Sequence, residues 1–224
     1  MSDTFWNNRF ADSDFHYGTQ VNSWVDEAVG RYVLNGHWFA NLEIDSPDEL
    51  KVIELAAGEG RNAVWLAQQG FQVTAFDQSS KGSEKTQQLA ADRGVVLTSR
   101  TDDAIDLGVN SPGWQGYADV VVSTFFHTSP EHKRAMFTAH RNLVRPGGLV
   151  IAEWFHPDQR LWGYTSGGPP QPEMMISVPE LRTAFGEWHI LECRVRLREL
   201  AEGRGHEGEG IVTQFAAQRP VSWF

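Results

Sequence analysis

Between Leu50 and Phe155 the sequence alternates short apolar runs with amphipathic segments that end in glycine. KVIELAA, FQVTAFD, VVLTSRTDD and LVIAEWF have the pattern of strands, VVLTSRTDD being the third along the chain, and RNAVWLAQQG and SSKGSEKTQQLAADRG have the pattern of helices. YADVVVSTFF is apolar almost throughout, as a strand buried on both faces must be. The alternation predicts a parallel sheet covered by helices on both faces, with right-handed crossovers.

The sequence changes character after Pro157. A loop rich in glycine and proline, 157–179, has a length that is uncommon without a function. The runs WHILECRVRLREL and GIVTQFAAQRP, joined by AEGRGHEGEG, predict an antiparallel hairpin at the end of the sheet. Arg194, Arg196 and Arg198 alternate along the first run, which favours a charged, solvated sheet edge.

These patterns predict an α/β protein: a doubly wound, Rossmann-like, seven-stranded and mostly parallel sheet with a C-terminal antiparallel hairpin. We expect one domain over 1–224, made of an N-terminal cap (1–45) and a cofactor-binding core (46–224) that carries the 157–179 loop as an acceptor loop. Ligands of such sheets lie beyond the carboxyl ends of the strands. Candidate site residues are therefore found where strands end.

Charge and composition narrow the partners. A formal net charge of -10 opposes binding to nucleic acid, which usually needs clustered basic residues. No apolar run approaches the ~20 residues that cross a bilayer, and the first residues lack the build of a signal peptide. The single cysteine excludes an internal disulfide. We expect a cytoplasmic protein without membrane, nucleic-acid or metal partners, either a monomer or a homodimer.

The turn after the first strand, AAGEGRNA, is the most informative motif. Gly58 and Gly60 allow a sharp bend and a close ligand, and Asp77 follows Gly58 by 19 residues at the end of the next strand. This spacing also fits a dinucleotide fingerprint. A diphosphate, however, would meet Glu54 and Glu59, whereas the cationic S-adenosylmethionine would not be repelled. Asp77 then suits the two ribose hydroxyls.

LAAGEGRNAVWLA, VTAFDQSSKGSEKTQQLA and RPGGLVIAEWF together resemble class I S-adenosylmethionine-dependent methyltransferases, and more narrowly the tellurite-resistance and thiopurine-type branch. The resemblance implies a methyltransferase that forms S-adenosylhomocysteine while methylating a small molecule, possible acceptors being a thiol, a chalcogen oxyanion or a small metabolite. Glycine is usual in the family where Ala56 stands. The resemblance places the following residues at the cofactor: Glu54, Ala56, Gly58, Gly60, Asp77, Gln78, Ser79, Asp103, Ala104 and Thr124. Either Asp102 or Asp103 would meet the adenine.

Methyl transfer by in-line displacement needs a base only when the acceptor is a neutral hydroxyl or amine. His127, just past the fourth strand, is the candidate base, or else a loop histidine bonded to backbone. Tyr17 is a candidate to close over the cofactor, and Trp24 either covers the sulfonium or packs in the core. HEGEG around His206 has no second histidine at ligand spacing, so it does not indicate zinc.

Two other functions stay open from the sequence. An NAD(P)-dependent oxidoreductase would share the glycine spacing and Asp77, although no Tyr-x-x-x-Lys pair accompanies them. A non-catalytic sensor of S-adenosylmethionine would share the whole cofactor site. The sequence does not name the acceptor.

Overall fold

The computed structural model describes residues 3–35 and 46–221. Within them, seven strands form one sheet in the order β3-β2-β1-β4-β5-β7-β6. The strands are β1 (Lys51–Leu55), β2 (Gln72–Asp77), β3 (Thr98–Thr101), β4 (Ala118–Thr124), β5 (Val144–Phe155), β6 (His189–Ala201) and β7 (Glu207–Gln218). The first five are parallel, and β7 pairs antiparallel with both β5 and β6. The predicted fold class is confirmed.

Eight α-helices cover this sheet in the described part of the chain. They are α1 (Asp3–Arg9), α2 (Ser23–Ala28), α3 (Arg61–Gln68), α4 (Ser80–Asp92), α5 (Ala104–Asn110), α6 (Lys133–Leu143), α7 (Asp158–Leu161) and α8 (Val178–Ala184). None of these helices has the length and apolar composition needed to traverse a bilayer. Of the predicted cap, 36–45 lie outside the described residues, as do the ends of the chain at 1–2 and 222–224.

Alternate residues of the central strands supply two separate cores. Ile53 and Val121 pack in the cluster with Met136 on one face, whereas Val52 and Val120 join the cluster on the other face. Burial on both faces explains the continuous apolar run of β4. The third strand is shorter than predicted, Thr98–Thr101, and mostly exposed, because it pairs with β2 alone at the edge of the sheet.

The strand order has its topological switch point between β1 and β4. From β1 the chain crosses to β2 on one side, while β4 lies on the other side. In an open parallel sheet a crevice forms beyond the carboxyl ends of such neighbouring strands. The loops after β1, β2, β4 and β5 therefore converge on one region.

Gly60 determines how closely α3 and α4 pack, and it gives a first prediction. Its φ is 86°, and an added Cβ would lie 2.6 Å from Thr86 on α4. Gly60→Ala should therefore lower the free energy of unfolding by about 2–4 kcal/mol through backbone strain and overpacking. Gly70→Ala is the matched control: its φ is 96° but nothing lies within 4 Å, so a loss of only about 1 kcal/mol is expected. Equal losses in urea unfolding would contradict the packing role.

Candidate active site

A cavity of about 750 Å³ lies beyond the carboxyl ends of the parallel strands. Its walls come from the front segment, the β1–α3 turn, the ends of β2 and β4, the start of α5, the stretch 167–170 and the β6–β7 turn. Nine predicted site residues line it: Tyr17, Ala56, Gly58, Asp77, Gln78, Asp103, Ala104, Thr124 and His127. Three others do not. Glu54 is buried behind the wall, Gly60 packs against Thr86, and Ser79 is buried as the N-cap of α4.

The β1–α3 turn has left-handed backbone at three positions. Ala56, Gly58 and Gly60 have φ of 53°, 58° and 86°. Glycine adopts this region without cost, whereas alanine pays about 1–2 kcal/mol because of its Cβ. Ala56 therefore takes a glycine-like conformation where the resembled family usually has glycine, and the turn keeps its shape.

Asp77 connects the turn to the end of β2. Its Oδ2 accepts the Gly58 N–H at 2.8 Å, and its Oδ1 accepts the Ser79 N–H at 2.8 Å. Burial raises the pKa of Asp77 from its ordinary value, while these two N–H groups act in the opposite direction. Each carboxylate oxygen has more than one acceptor site. The side chain can thus hold the turn and still accept bonds from a diol.

The start of α5 distinguishes the two aspartates left open by the sequence. Asp103 and Ala104 line the cavity, and Asp103 caps α5 by accepting the Ile105 and Asp106 N–H groups through Oδ1. Asp102 instead forms an exposed ion pair with Arg100, 2.9 Å between Nε and Oδ2. An adenine ring bound at this wall would therefore contact Asp103 and Ala104.

A buried acid stands behind the wall near β4. Asn62 lines the cavity and donates to Glu54 Oε1 at 2.8 Å and to Thr124 Oγ1 at 3.0 Å. Glu54 is 1% exposed, and its Oε2 has no hydrogen-bond partner among the described residues. Burial raises the pKa of Glu54 to about 7, although the Asn62 bond opposes this. The carboxyl group would be ionised more easily beside a ligand cation.

Glu59 has a different role from the one its position in the turn indicates. Its Oε1 lies 2.7 Å from Lys85 Nζ, and its Oε2 accepts the backbone N–H groups of His16 and Tyr17. Lys85 therefore compensates the charge that was expected to repel a diphosphate. The electrostatic preference of the site depends on Glu54 and Asp77 instead, and Glu59 fastens the front segment over the turn.

The two aromatic residues of the front segment that were candidates to cover the cofactor lie in different environments. Tyr17 lines the cavity, and its hydroxyl accepts from Arg9 at 3.2 Å. Trp24 is fully buried, and its indole N–H donates to Ala152 O at 3.0 Å. Trp24 therefore packs in the core, which was the second of its two predicted roles.

His127 lines the cavity but has both ring nitrogens engaged with backbone. Nδ1 lies 3.1 Å from Met174 O, and Nε2 accepts the Phe155 N–H at 3.3 Å. Burial lowers the pKa of His127 to about 3. The ring therefore has no lone pair for an acceptor proton. These two bonds favour the alternative to a catalytic base: His127 is a loop histidine bonded to backbone, and it connects the end of β4 to the 157–179 loop.

A buried charge network was not expected from the sequence. Arg198 Nε donates to Glu153 Oε2 at 3.2 Å, and Arg198 Nη2 donates to Glu202 Oε1 at 2.6 Å. Arg61, on the cavity wall, donates to Glu202 Oε2 at 2.8 Å. The prediction of a solvated arginine edge is wrong for Arg198, whose side chain is 14% exposed, because Glu153 reaches it from β5, across β7, and Glu202 from the β6–β7 turn. Burial alone would raise the pKa of Glu202, but Arg61, His206 and Arg198 hold it below its ordinary value.

His206 is a cavity residue that the sequence reasoning missed. It lies in the β6–β7 turn, residues 202–206, and is 6% exposed. The turn approaches the front segment closely, since a Cβ on Gly205 would lie 2.4 Å from the Tyr17 ring. A cluster of glycines in a hairpin turn was the available signal of this close approach. Among the described residues, no group of three or more acidic, histidine or cysteine side chains is arranged to hold a metal ion.

The polar groups of the cavity fit one kind of cofactor. Glu54 Oε2 and Arg61 Nη1 are both buried and both lack a hydrogen-bond partner among the described residues. One carboxylate oxygen and one guanidinium N–H group without partners match the ammonium and the carboxylate of an amino acid, respectively. Asp77 matches a ribose diol. S-adenosylmethionine carries all three groups, whereas NAD has no ammonium.

Residues 52–148 match the family model described as "Methyltransferase domain". Together with the fold, this match identifies the chain as an S-adenosylmethionine-dependent methyltransferase. The chain is 28% identical over 175 residues to a 2-heptyl-1-hydroxyquinolin-4(1H)-one methyltransferase of Mycobacteroides abscessus, covering 76% of this chain and 72% of the relative.

Solved structures share the fold. Magnesium protoporphyrin IX methyltransferase from Synechocystis PCC 6803, with bound SAH, superposes with a TM-score of 0.66 at 21% identity, over 97% of this chain and 99% of the other. TehB from Haemophilus influenzae superposes with a TM-score of 0.59 at 20% identity, over 87% of this chain and 66% of TehB. At these identities the likeness concerns the fold alone.

Proposed function

We propose that the protein methylates a heteroatom on a small, planar aromatic molecule, most simply a ring hydroxyl, with S-adenosylmethionine as donor. The observation that carries the proposal is an aromatic chamber beyond the end of β4. The ring centroid of Phe125 lies 4.7 Å from that of Phe155 and 4.2 Å from that of His206, and Tyr17 lies 4.6 Å from His206. Such walls suit a flat ring.

The curated relative supports the same acceptor class. Its name gives a hydroxyquinolone, 2-heptyl-1-hydroxyquinolin-4(1H)-one, as the molecule that it methylates. The cavity volume of about 750 Å³ lies in the range of sites for drug-sized ligands, so the cofactor and a small acceptor can share it. The acceptor loop and the cap belong to this proposal, because 167–170 and the front segment both contribute to the walls.

The chain's own residues would hold the cofactor as follows. Asp103 and Ala104 would receive the adenine and Asp77 the ribose. Glu54, with Asn62, would compensate the ammonium, and Arg61 the carboxylate. When bound, the cofactor supplies a methyl group activated by its sulfonium. The protein contributes alignment and exclusion of water, which provide most of the acceleration in an in-line displacement.

A calorimetric titration followed by a turnover assay tests the proposal. We expect S-adenosylhomocysteine to bind at one site per chain and NADH not to bind. With S-adenosylmethionine, a hydroxyquinolone should be converted faster than a thiopurine, a simple thiol or tellurite. Folded protein that takes up no S-adenosylhomocysteine would refute the cofactor site. Faster conversion of the thiols or tellurite would refute the acceptor class.

The narrower placement in the tellurite-resistance and thiopurine-type branch stays a prediction, as do the cytoplasmic location and the choice between monomer and homodimer. The likeness to TehB supports the fold and not the branch. The turnover panel also addresses the branch, because it compares tellurite and thiopurine with the hydroxyl acceptors directly.

A further inference from the structure

His206 is the central ring of the aromatic chamber. Its centroid lies 4.6 Å from Tyr17, 4.2 Å from Phe125 and 5.3 Å from Phe155. An added Cβ on Gly167 would lie 2.6 Å from its Cδ2, so the acceptor loop also packs directly on the imidazole. The front segment, the ends of β4 and β5 and the acceptor loop thus fix one ring at the cavity wall, where an acceptor ring would lie.

The nitrogens of this imidazole are not engaged as those of His127 are. His206 Nδ1 lies 3.5 Å from Glu202 Oε2, just outside full hydrogen-bond contact. Its Nε2 makes no hydrogen bond within 3–35 and 46–221. A small movement of the ring would complete the bond from Nδ1–H to Glu202. The lone pair of Nε2 would then remain available in the cavity.

Charged and titratable groups from several elements lie near this ring. Glu202 is on its own turn, Arg198 on β6 and Arg61 on α3, while His127 follows β4 and Tyr17 is in the front segment. Burial lowers the pKa of His206 to about 4, and Glu202 acts against that lowering. The imidazole is therefore neutral near pH 7 and able to accept a proton, and Glu202 partly offsets the positive charge that results.

We propose that His206 is the catalytic base for an acceptor hydroxyl and that Glu202 is its positioning residue, an inference that rests on the function proposed above. The acceptor oxygen forms a bond to the methyl carbon, while the bond from that carbon to sulfur breaks and leaves its electron pair on sulfur. The O–H electron pair stays on the oxygen, and the proton passes to His206 Nε2 and then to water. Glu202 holds the proton on Nδ1.

A base of low pKa accepts a proton less unfavourably from an acidic hydroxyl than from an ordinary alcohol. Proton transfer from an alcohol to such an imidazole is strongly uphill, whereas transfer from a phenol or a hydroxyquinolone is much less so. An acceptor that arrives already ionised has no proton to lose. The loss of kcat when His206 is replaced should therefore be large for an un-ionised acceptor and small for an ionised one.

His206→Gln tests this with two acceptors in one assay at about pH 8. 4-Methylphenol, whose hydroxyl resembles that of tyrosine with a pKa of about 10, is un-ionised there, and 4-nitrophenol is largely ionised. We expect kcat for 4-methylphenol to fall about 100–1,000-fold and kcat for 4-nitrophenol to change less than about 3-fold. His189→Gln, an exposed histidine at the start of β6, is the matched control and should leave both unchanged. Equal losses for the two phenols would overturn the role as base.

A spectroscopic test needs neither cofactor nor acceptor. In the free protein at neutral pH, ¹⁵N NMR should show the His206 proton on Nδ1, and Glu202→Gln should lose this preference. A proton on Nε2 in the unmodified protein would overturn the assignment of Glu202.

Calorimetry separates the two proposals. If S-adenosylhomocysteine binds but no phenol or hydroxyquinolone is methylated, this inference fails and the cofactor site stands, whereas loss of S-adenosylhomocysteine binding itself refutes the proposed function.

Discussion

Glu54→Gln will make the free protein more stable above pH 7 and will weaken its binding of S-adenosylhomocysteine. Glu54 is buried with an unpartnered Oε2, and its pKa is raised to about 7 from an ordinary 4.5. Folding therefore favours the protonated form, and its contribution to stability is present below pH 4.5 and is lost as the pH rises through about 7. A neutral amide avoids that loss, which amounts to about 3 kcal/mol above pH 7.

The opposite effect on affinity follows from the same buried charge. In the complex an ammonium would lie near the carboxylate, so the amide should weaken S-adenosylhomocysteine about 10–100-fold. Thermal unfolding at pH 5 and pH 8 with calorimetry measures both effects. Glu84→Gln, which changes an exposed pair with Lys81, is the matched control and should alter stability by less than about 0.5 kcal/mol. A variant that is less stable at pH 8, or that binds as tightly as the parent, would contradict this account of Glu54.

Asp77→Ala should be the most damaging single change at the cofactor end. It removes the acceptor of two backbone N–H groups, on Gly58 and Ser79, inside a buried turn. Charge-assisted bonds of this kind contribute about 1.5–3 kcal/mol each, and burial of the carboxylate offsets part of that, so we expect a loss of about 3–5 kcal/mol in unfolding free energy. Loss of the ribose contact should weaken S-adenosylhomocysteine more than about 100-fold.

Asp102→Ala provides the comparison for that change. Asp102 directly follows β3 and does not line the cavity, and among the described residues its side chain bonds to exposed Arg100. Its loss should change stability by less than about 1 kcal/mol and affinity less than about 3-fold. Urea unfolding and calorimetry on both variants measure the difference. Similar results for Asp77→Ala and Asp102→Ala would refute the assignment of the ribose site.

Local patterns were enough for most of the fold. The apolar run of β4 and the glycine-closed helices α3 and α4 predicted a covered parallel sheet, because burial on both faces leaves a direct pattern in the sequence. The third strand was predicted too long. Whether a run pairs on one side or two depends on its neighbours in space, which the sequence does not display.

Most residues predicted to hold the cofactor line one cavity because they follow strand ends along one stretch of chain. The place of His206 in that cavity was not predictable in this way, because His206 meets Tyr17 and Arg61 only after the hairpin folds back over the turn. Arg198 was misjudged for the same reason: its partner Glu153 is 45 residues away. An alternating run of arginines looks the same in the sequence whether partner acids are absent or lie on a distant strand of the sheet.

A crystal structure of the complex with S-adenosylhomocysteine tests the central claim most directly. We expect the adenine to lie against Asp103 and Ala104 and the ribose hydroxyls to bond to Asp77. The sulfur should lie near Thr124 and face the aromatic chamber. The amino-acid end should lie near Asn62 and Arg61. Adenine in the aromatic chamber, or a ligand bound away from the β1–α3 turn, would contradict the account.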